Sequence, residues 1–308
     1  PASRGAGAPR QVLFEPTRRA SERLVEGLLL LSATLTVLTT GAILFSLFGE
    51  ALSFFRQVPL WEFLTGTVWT PLFHPARFGV LPLIAGTMLI TVISALVAIP
   101  IGLAAAIYLS EYAPQQVRRI LKPVLEILAG VPTVVYGYFA LTAVTPFLRN
   151  FIPELGIFNA LSAGIVVGIM IIPMVSSVSE DAMSAVPRSL REGAYALGAT
   201  RFEVTTAVVI PAAFSGIVAS FVLALSRAIG ETMIVSIAAG STPKLTLNPL
   251  ESIQTMTGYI VQIATGDAAF GTVKYQTLYA IGLLLFLMTL GMNFLGARIV
   301  RRYREVYR

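Results

Sequence analysis

Cysteine is absent from this sequence, and histidine occurs once, at His74. The first absence excludes disulfides and thiolate metal sites, and the second excludes sites built from several histidines. Lysine is almost as scarce, with Lys122, Lys244 and Lys274 the only three. None follows a glycine, so the Gly-Lys-Ser/Thr ending of a phosphate-cradling P-loop is missing. ATP cannot be bound and hydrolysed by that route, and an ATP-driven process would need another chain. Charge of either sign is thin. Asp, Glu, Lys and Arg make up 12% of the 308 residues, against about 25% in soluble domains.

What is abundant is apolar. Hydrophobic residues make up 56% of the chain, and the mean hydropathy is +0.79. Six stretches, at 27–48, 81–109, 124–145, 157–178, 208–238 and 275–300, are each long enough to span. A helix needs ~20 apolar residues to cross the ~30 Å hydrocarbon core. Lipid cannot satisfy an open backbone, so the chain is expected to be an all-α integral membrane protein. Pro100, Pro132 and Pro173 lie in or near these stretches and predict kinks or breaks. The expected organisation is a basic tail (1–23), a first span with its loop (24–80), a core membrane domain (81–300) and a second basic tail (301–308). Residues 1–23 read as a disordered tail ending in a short interfacial turn. The first apolar run starts too late and runs too long for a cleavable signal peptide.

The distribution of positive charge orients the chain. Of the 22 Lys and Arg residues, sixteen fall in the two tails, at Arg298 in the last turns before the second tail, and in the 110–123 and 179–207 loops, and five in the alternate segments. The positive-inside bias then places both termini and the 179–207 loop in the cytoplasm. This accounts for the net charge of +6 through topology and lipid headgroups, with no call on nucleic acid. On the opposite side, residues 52–64 carry Phe54, Phe55, Trp61 and Phe63, an interfacial stretch or a cap on the bundle. The 239–274 segment spaces Ile253, Met256, Ile260 and Val261 as a short external helix would.

The longest polar run on the cytoplasmic side is 179–211. Pro187 suits a helix start, and Leu190, Ala194 and Leu197 share a helical face. Gly198 supplies a stop, because glycine tolerates positive φ. A second short helix is expected over 199–206, with Pro211 at the entry to the next span. Such a helix–Gly–helix knob beneath the membrane could seat in a groove on a soluble partner. The adjacent Glu180 and Asp181 have no histidine or cysteine companions and read as a solvated helix end.

One arginine lies at membrane depth, Arg227, where insertion costs about 2.5–3.5 kcal/mol. Glu231 follows one helical turn later, and Ser220 precedes on the same stripe. A guanidinium facing a water-filled cavity suits phosphate-like oxyanions, which accept paired N–H···O bonds. A buried Arg–Glu pair that only fixes helix packing is the competing explanation.

The 179–211 run resembles the EAA loop of binding-protein-dependent ABC importer permeases. That pattern is Glu-Ala-Ala, three residues, Gly, nine residues, then Ile-x-Leu-Pro. Here it reads Glu192-Gly193-Ala194, Gly198 and Val208-Val209-Ile210-Pro211. Within that family, residues 63–87 are similar to the start of the phosphate permeases. Lys122-Pro-Val-Leu-Glu126 through Gly137 resembles their third span, and Arg227-Ala-Ile-Gly-Glu231-Thr-Met233 their fifth. The ending of the last motif and the long 239–274 loop resemble the C-type subunit. The resemblance covers about residues 60–300. It implies the type I ABC importer permease fold, six transmembrane helices with a cytoplasmic coupling helix. It also implies a non-catalytic transport subunit in a bacterial plasma membrane. Its expected partners are a second related permease, two ATPase subunits that bind ATP and Mg²⁺, and an external phosphate-binding protein. No cofactor is expected in this chain. Arg227, Glu231 and Ser220 become candidate translocation residues. Glu192, Gly193, Ala194, Gly198, Arg201 and Pro211 become candidate ATPase-coupling residues. A permease for molybdate or sulfate, or a stand-alone channel or secondary carrier, stays open. A carrier would show an internal repeat, and none is convincing.

Overall fold

The computed structural model describes residues 16–266 and 268–302, and among them every regular element is helical. Residues 1–15 and 303–308 of the two expected tails lie outside the described residues. The chain divides into two units, residues 1–49 and 50–308. Helix α1 (Pro16–Phe55) runs through the boundary. It already includes residues 16–23, so the tail expected to reach Arg23 is helical over its described part. In the first unit, Leu28, Leu30, Leu31 and Val37 put exposed apolar side chains on all sides of α1. A helix that is apolar all round is suited to lipid.

The second unit opens with the end of α1 and α2 (Leu60–Thr65). Phe54 and Phe63 are buried there with Trp69 and Tyr259, and with the partly buried Phe78 they form a chain of edge-to-face rings 5.0–6.5 Å apart. Such packing favours the positive ring edge against the negative face. The aromatic stretch at 52–64 is therefore a cap packed on the bundle, with Trp61 left exposed.

Helix α3 (Leu81–Ile107) continues through Pro100 into a π-turn at Tyr108–Tyr112. The third apolar stretch breaks. Helix α4 (Gln115–Gly130) and helix α5 (Thr133–Phe139), which a π-turn joins to α6 (Thr145–Arg149), meet at 89°. Pro132 causes the break, since it forces Val131 and itself into extended backbone. Among the described residues, five helices are long and apolar enough to cross a membrane, and the bent pair makes a sixth if counted as one span.

Helix α7 (Ala160–Ser184) is the centre of the unit. Asn159 caps it, accepting from Ser162 N–H at 2.7 Å. Small residues let it approach α3: a Cβ on Gly164 would meet Ile93 at 2.7 Å, and one on Gly168 would meet Val97 at 2.8 Å. Pro173 sits inside α7 without ending it.

Helix α8 (Arg188–Ala196) and helix α9 (Arg201–Val204) follow. A π-turn at Thr205–Val209 joins α9 to α10 (Ile210–Ile229). The short second helix expected over 199–206 is thus the first turns of the next span, because the π-turn keeps the backbone helical. That span also stops earlier than residue 238. It ends at Ile229, and α11 (Met233–Ala238) restarts after Gly230. Helix α12 (Met256–Thr265) is the helix foreseen in the 239–274 segment. Helix α13 (Val273–Arg302) packs on α10, where a Cβ on Gly296 would lie 2.4 Å from Val222.

Candidate coupling and translocation site

The knob is built from a proline start and a glycine stop. Pro187, in extended backbone, caps α8 from outside rather than sitting in its first turn. Gly198 has φ +85°, a conformation that crowds the Cβ of other residues. Its N–H donates to Tyr195 O at 2.9 Å, and Ala199 N–H to Ala194 O at 3.2 Å. Thr200 then opens α9 with a capping box, in which Thr200 and Glu203 satisfy each other's backbone N–H. Glu192 and Gly193 are exposed, and no atom lies near the position of a Cβ on Gly193. Replacing alanine by glycine there costs no contact within the chain. Ala194 is half-buried against the core, whereas Leu197, expected on the same face, is 90% exposed. Tyr195 and Phe202 are exposed beside it. Arg201 lies over the Tyr112 ring at 5.5 Å, and Pro211 is exposed in the first turn of α10.

Sequence reasoning missed the residue that fastens this knob. Arg191 donates to Val186 O at 2.7 Å, to Met183 O at 2.8 Å and to the Glu111 carboxylate at 3.0 Å. One guanidinium thereby ties α8 to the end of α7 and to the turn after α3. Helix C-terminal carbonyls attract cations, so the arrangement is favourable.

The other overturned reading is that of Glu180. It is not solvated; it is 1% exposed. Arg118 pairs with its Oε1, Lys122 reaches its Oε2 at 2.9 Å, and Ser184 donates to it at 3.3 Å. Asp181, by contrast, is open to solvent and meets Lys122 at 3.3 Å. A buried carboxylate needs such partners, because desolvation of a lone charge is costly. The signal was present in the sequence: Arg118, Lys122 and Glu126 stand four apart on one face of α4.

The stripe expected on the fifth span is not assembled. Gly230 ends α10 before Glu231, so four-residue spacing no longer puts Arg227 and Glu231 on one face. Glu231 Oε1 instead accepts the Met233 and Ile234 N–H groups at 3.0 and 3.2 Å, capping α11. Thr257 Oγ1 donates to Glu231 O at 2.7 Å and ties the break to α12. Ser220 is fully buried, 2.7 Å from Ser179 Oγ, and it bonds Ile217 O. Its hydroxyl holds α10 to α7. Arg227 is exposed, its guanidinium 4.0 Å from Met170 Sδ. Among the described residues, no ion pair joins it to an acid.

Arg227 does line a cleft, of about 340 Å³, between α4, α7 and α10. Lys122 and Glu126 enter the same cleft from α4, and Met170, Pro173 and Ser177 from α7. A guanidinium and an ammonium lining one groove can receive a multivalent oxyanion. At the other end of the bundle, hydrogen bonds from Lys244 and Asn248 hold the Glu251 carboxyl below its ordinary range. They close the 244–251 loop over the start of α7, where Ala160 N–H donates to Glu251 O at 3.2 Å.

Comparison with known proteins gives the context. The chain is 42% identical over 229 residues to a protein named probable ABC transporter permease protein YqgH, of Bacillus subtilis, covering 74% of each. It is 34% identical over 280 residues to the phosphate transport system permease protein PstC of Mesorhizobium japonicum, covering 84% of this chain and 83% of that one. Among solved structures, a bacterial ABC transporter involved in import of the acidic polysaccharide alginate superposes with a TM-score of 0.63 at 15% identity. That match covers 93% of this chain and 100% of that one, and it shows the fold of type I ABC importer permeases. Residues 98–305 match the family model for the binding-protein-dependent transport system inner membrane component. That span holds the bent pair, the Arg227 cleft and the Gly198 knob, and the chain belongs to this family of multi-pass inner-membrane transport permeases.

Proposed function

We propose that this chain is a permease subunit of an ATP-driven importer for inorganic phosphate, of the C type. The observation that carries the reading is Arg227, a cation at membrane depth, open to a cleft and free of an acidic partner in the ion pairs of the described residues. The name of the Mesorhizobium relative supports phosphate as the anion. Arg227 is exposed on a face this chain does not cover, as half of a pathway completed by a second related permease would be. Two ATPase subunits, holding ATP and Mg²⁺, would dock on the knob around Leu197 and Phe202. An external phosphate-binding protein would deliver substrate at the opposite end. Both termini and the 179–207 loop would lie in the cytoplasm, following the basic residues. The chain itself performs no chemistry. ATP-driven closure of the partners would push on α8, and the Arg191 clamp would carry that push to α3 and α7.

The test is labelled phosphate uptake by the assembled complex, with sulfate and molybdate as competitors. Arg227→Lys keeps the charge but loses the planar fork, and uptake is expected to fall at least about tenfold. Arg227→Ala is expected to abolish uptake while the complex still assembles. Adding Glu231→Gln to Arg227→Ala restores nothing, since Glu231 caps α11 and is not the arginine's counter-ion. Near-normal uptake in that double variant would show that Arg227 only holds helices together. Competition by molybdate or sulfate instead of unlabelled phosphate would reassign the substrate.

A further inference from the structure

A cluster of cations and a buried carboxylate stands at one end of the cleft. Lys122 and Arg118 project from α4 and converge on Glu180, which sits near the end of α7 at 1% exposure. Lys122 also lines the cleft that holds Arg227, so one wall joins the two cationic positions. The groove continues along α4 past Arg118, Arg119 and Lys122, on the side of the bundle where the knob lies. Two converging cations, one a forked guanidinium and one an ammonium, make a receptor for tetrahedral oxyanions. In this structure the receptor is filled by the chain's own carboxylate. Ser184, which donates to that carboxylate and accepts from Arg118 at 3.4 Å, completes the set of donors.

We propose that Arg118 and Lys122 form the release subsite for the transported oxyanion, and that Glu180 is a built-in competitor that displaces the anion from it. The proposal rests on the oxyanion-transport reading above. Arg227 lies deeper in the cleft and receives the anion first. Lys122 then draws it toward the coupling end. Glu180 limits its residence there, because the same cations cannot fully serve both the carboxylate and the substrate. Helix α4 suits this exchange. It buries none of its residues, it is broken from α5 at Val131–Pro132, and this ion cluster is its polar tie to α7.

The experiment uses the complete transporter in proteoliposomes, with the external binding protein and labelled phosphate enclosed and ATP supplied outside. Unlabelled phosphate is added on the ATP side, and its inhibition of transport is measured. Direct retention of labelled phosphate by the detergent-purified complex, without the binding protein, is the second reading. Glu180→Gln removes the competitor. Half-inhibition is then expected at about tenfold lower phosphate, with retention raised to match, the size of one charge-assisted hydrogen bond. Adding Lys122→Gln to Glu180→Gln is expected to return both readings to the wild-type level or below. If Glu180→Gln does not assemble, Lys122→Gln alone decides, and inhibition from the ATP side is expected to weaken. A purely structural cluster would lower thermal stability in these variants and leave both phosphate readings unchanged, which overturns the proposal. If the transporter carries molybdate or sulfate instead, the same readings are taken with that anion. The substrate assignment then fails, and the subsite stands or falls separately.

Discussion

Helices α4 and α7 line one cleft and are held by opposite means. Fifteen of the 25 residues of α7 are buried, and none of the sixteen in α4 is. Helix α7 is fixed by shape: Gly164 and Gly168 admit Ile93 and Val97 of α3 to distances no larger side chain would allow. Helix α4 is fixed by charge, through Arg118 and Lys122 on Glu180, and by Tyr136 Oη donating to Leu128 O at 2.7 Å. Close packing is stiff, whereas Arg118 and Lys122 are partly open to solvent and reach α7 through side chains alone, so they can exchange partners as long as Glu180 stays paired. The bundle therefore has a rigid wall and an adjustable wall around the same space, which suits a path that must open and close.

The largest effect is expected where shape is violated. Gly168→Leu drives a side chain into Val97 and the Ser94 carbonyl, 3.0 Å from the first added carbon. Overpacking should cost about 3 kcal/mol or more, read as loss of the monodisperse complex after detergent extraction. An unaltered yield and melting temperature would mean that α3 and α7 are less tightly joined than described.

Next comes the knob that hangs from α7. Gly198→Val forces a β-branched residue into φ +85°, at roughly 1–2 kcal/mol. The permease should still insert and assemble, while substrate-stimulated ATP hydrolysis drops several-fold. Full stimulation in an assembled Gly198→Val complex would separate the turn from coupling.

On the adjustable wall the losses should be smaller. Tyr136→Phe removes the shorter of the two hydrogen bonds to the Leu128 carbonyl, leaving the Val131 N–H at 3.4 Å, and should destabilise by no more than about 1 kcal/mol. The sign of loosening is faster amide exchange confined to 115–130, with α7 unchanged. Exchange that rises equally in both helices would erase the distinction between the walls.

The smallest effect sharpens the comparison most. Ile127 is exposed on α4, so Ile127→Ala should shift the stability of the isolated chain by no more than about 0.5 kcal/mol. In the assembled transporter the same change should weaken subunit association if a second permease covers that face. Equal melting temperatures in both settings would show that α4 faces lipid rather than a partner.

Much of this was legible before any coordinates. Hydropathy located the spans because lipid leaves the backbone few choices. Gly198 announced a left-handed turn, Pro132 a kink or break, and 52–64 an aromatic stretch whose choice between interface and cap was left to the fold, since each depends on the residue's own stereochemistry or on local spacing. Two readings failed for different reasons. The four-residue spacing of Arg227 and Glu231 matters only while the helix continues, and α10 stops at Ile229. Glu180 beside Asp181 looks solvated until α4 folds back over α7 from 58 residues away and supplies the cations.

The sequence by itself thus determined what depends on single residues and short periods: an all-helical membrane chain, the place of most of its spans, the break at Pro132, the Gly198 turn and the rare arginine in the fifth apolar stretch. Only the tertiary structure decided what depends on which helices meet. It separated Arg227 from Glu231, turned Glu231 into a cap and Ser220 into a rivet between α7 and α10, and placed Lys122 in the same cleft as Arg227. It also gathered Arg191, Glu111 and two helix-end carbonyls into a clamp. Side-chain charge is written in the chain, but the partner that a charge finds is set by the packing of elements far apart in sequence. In a medium that cannot solvate a lone ion, that partner decides whether the residue binds, couples or merely holds.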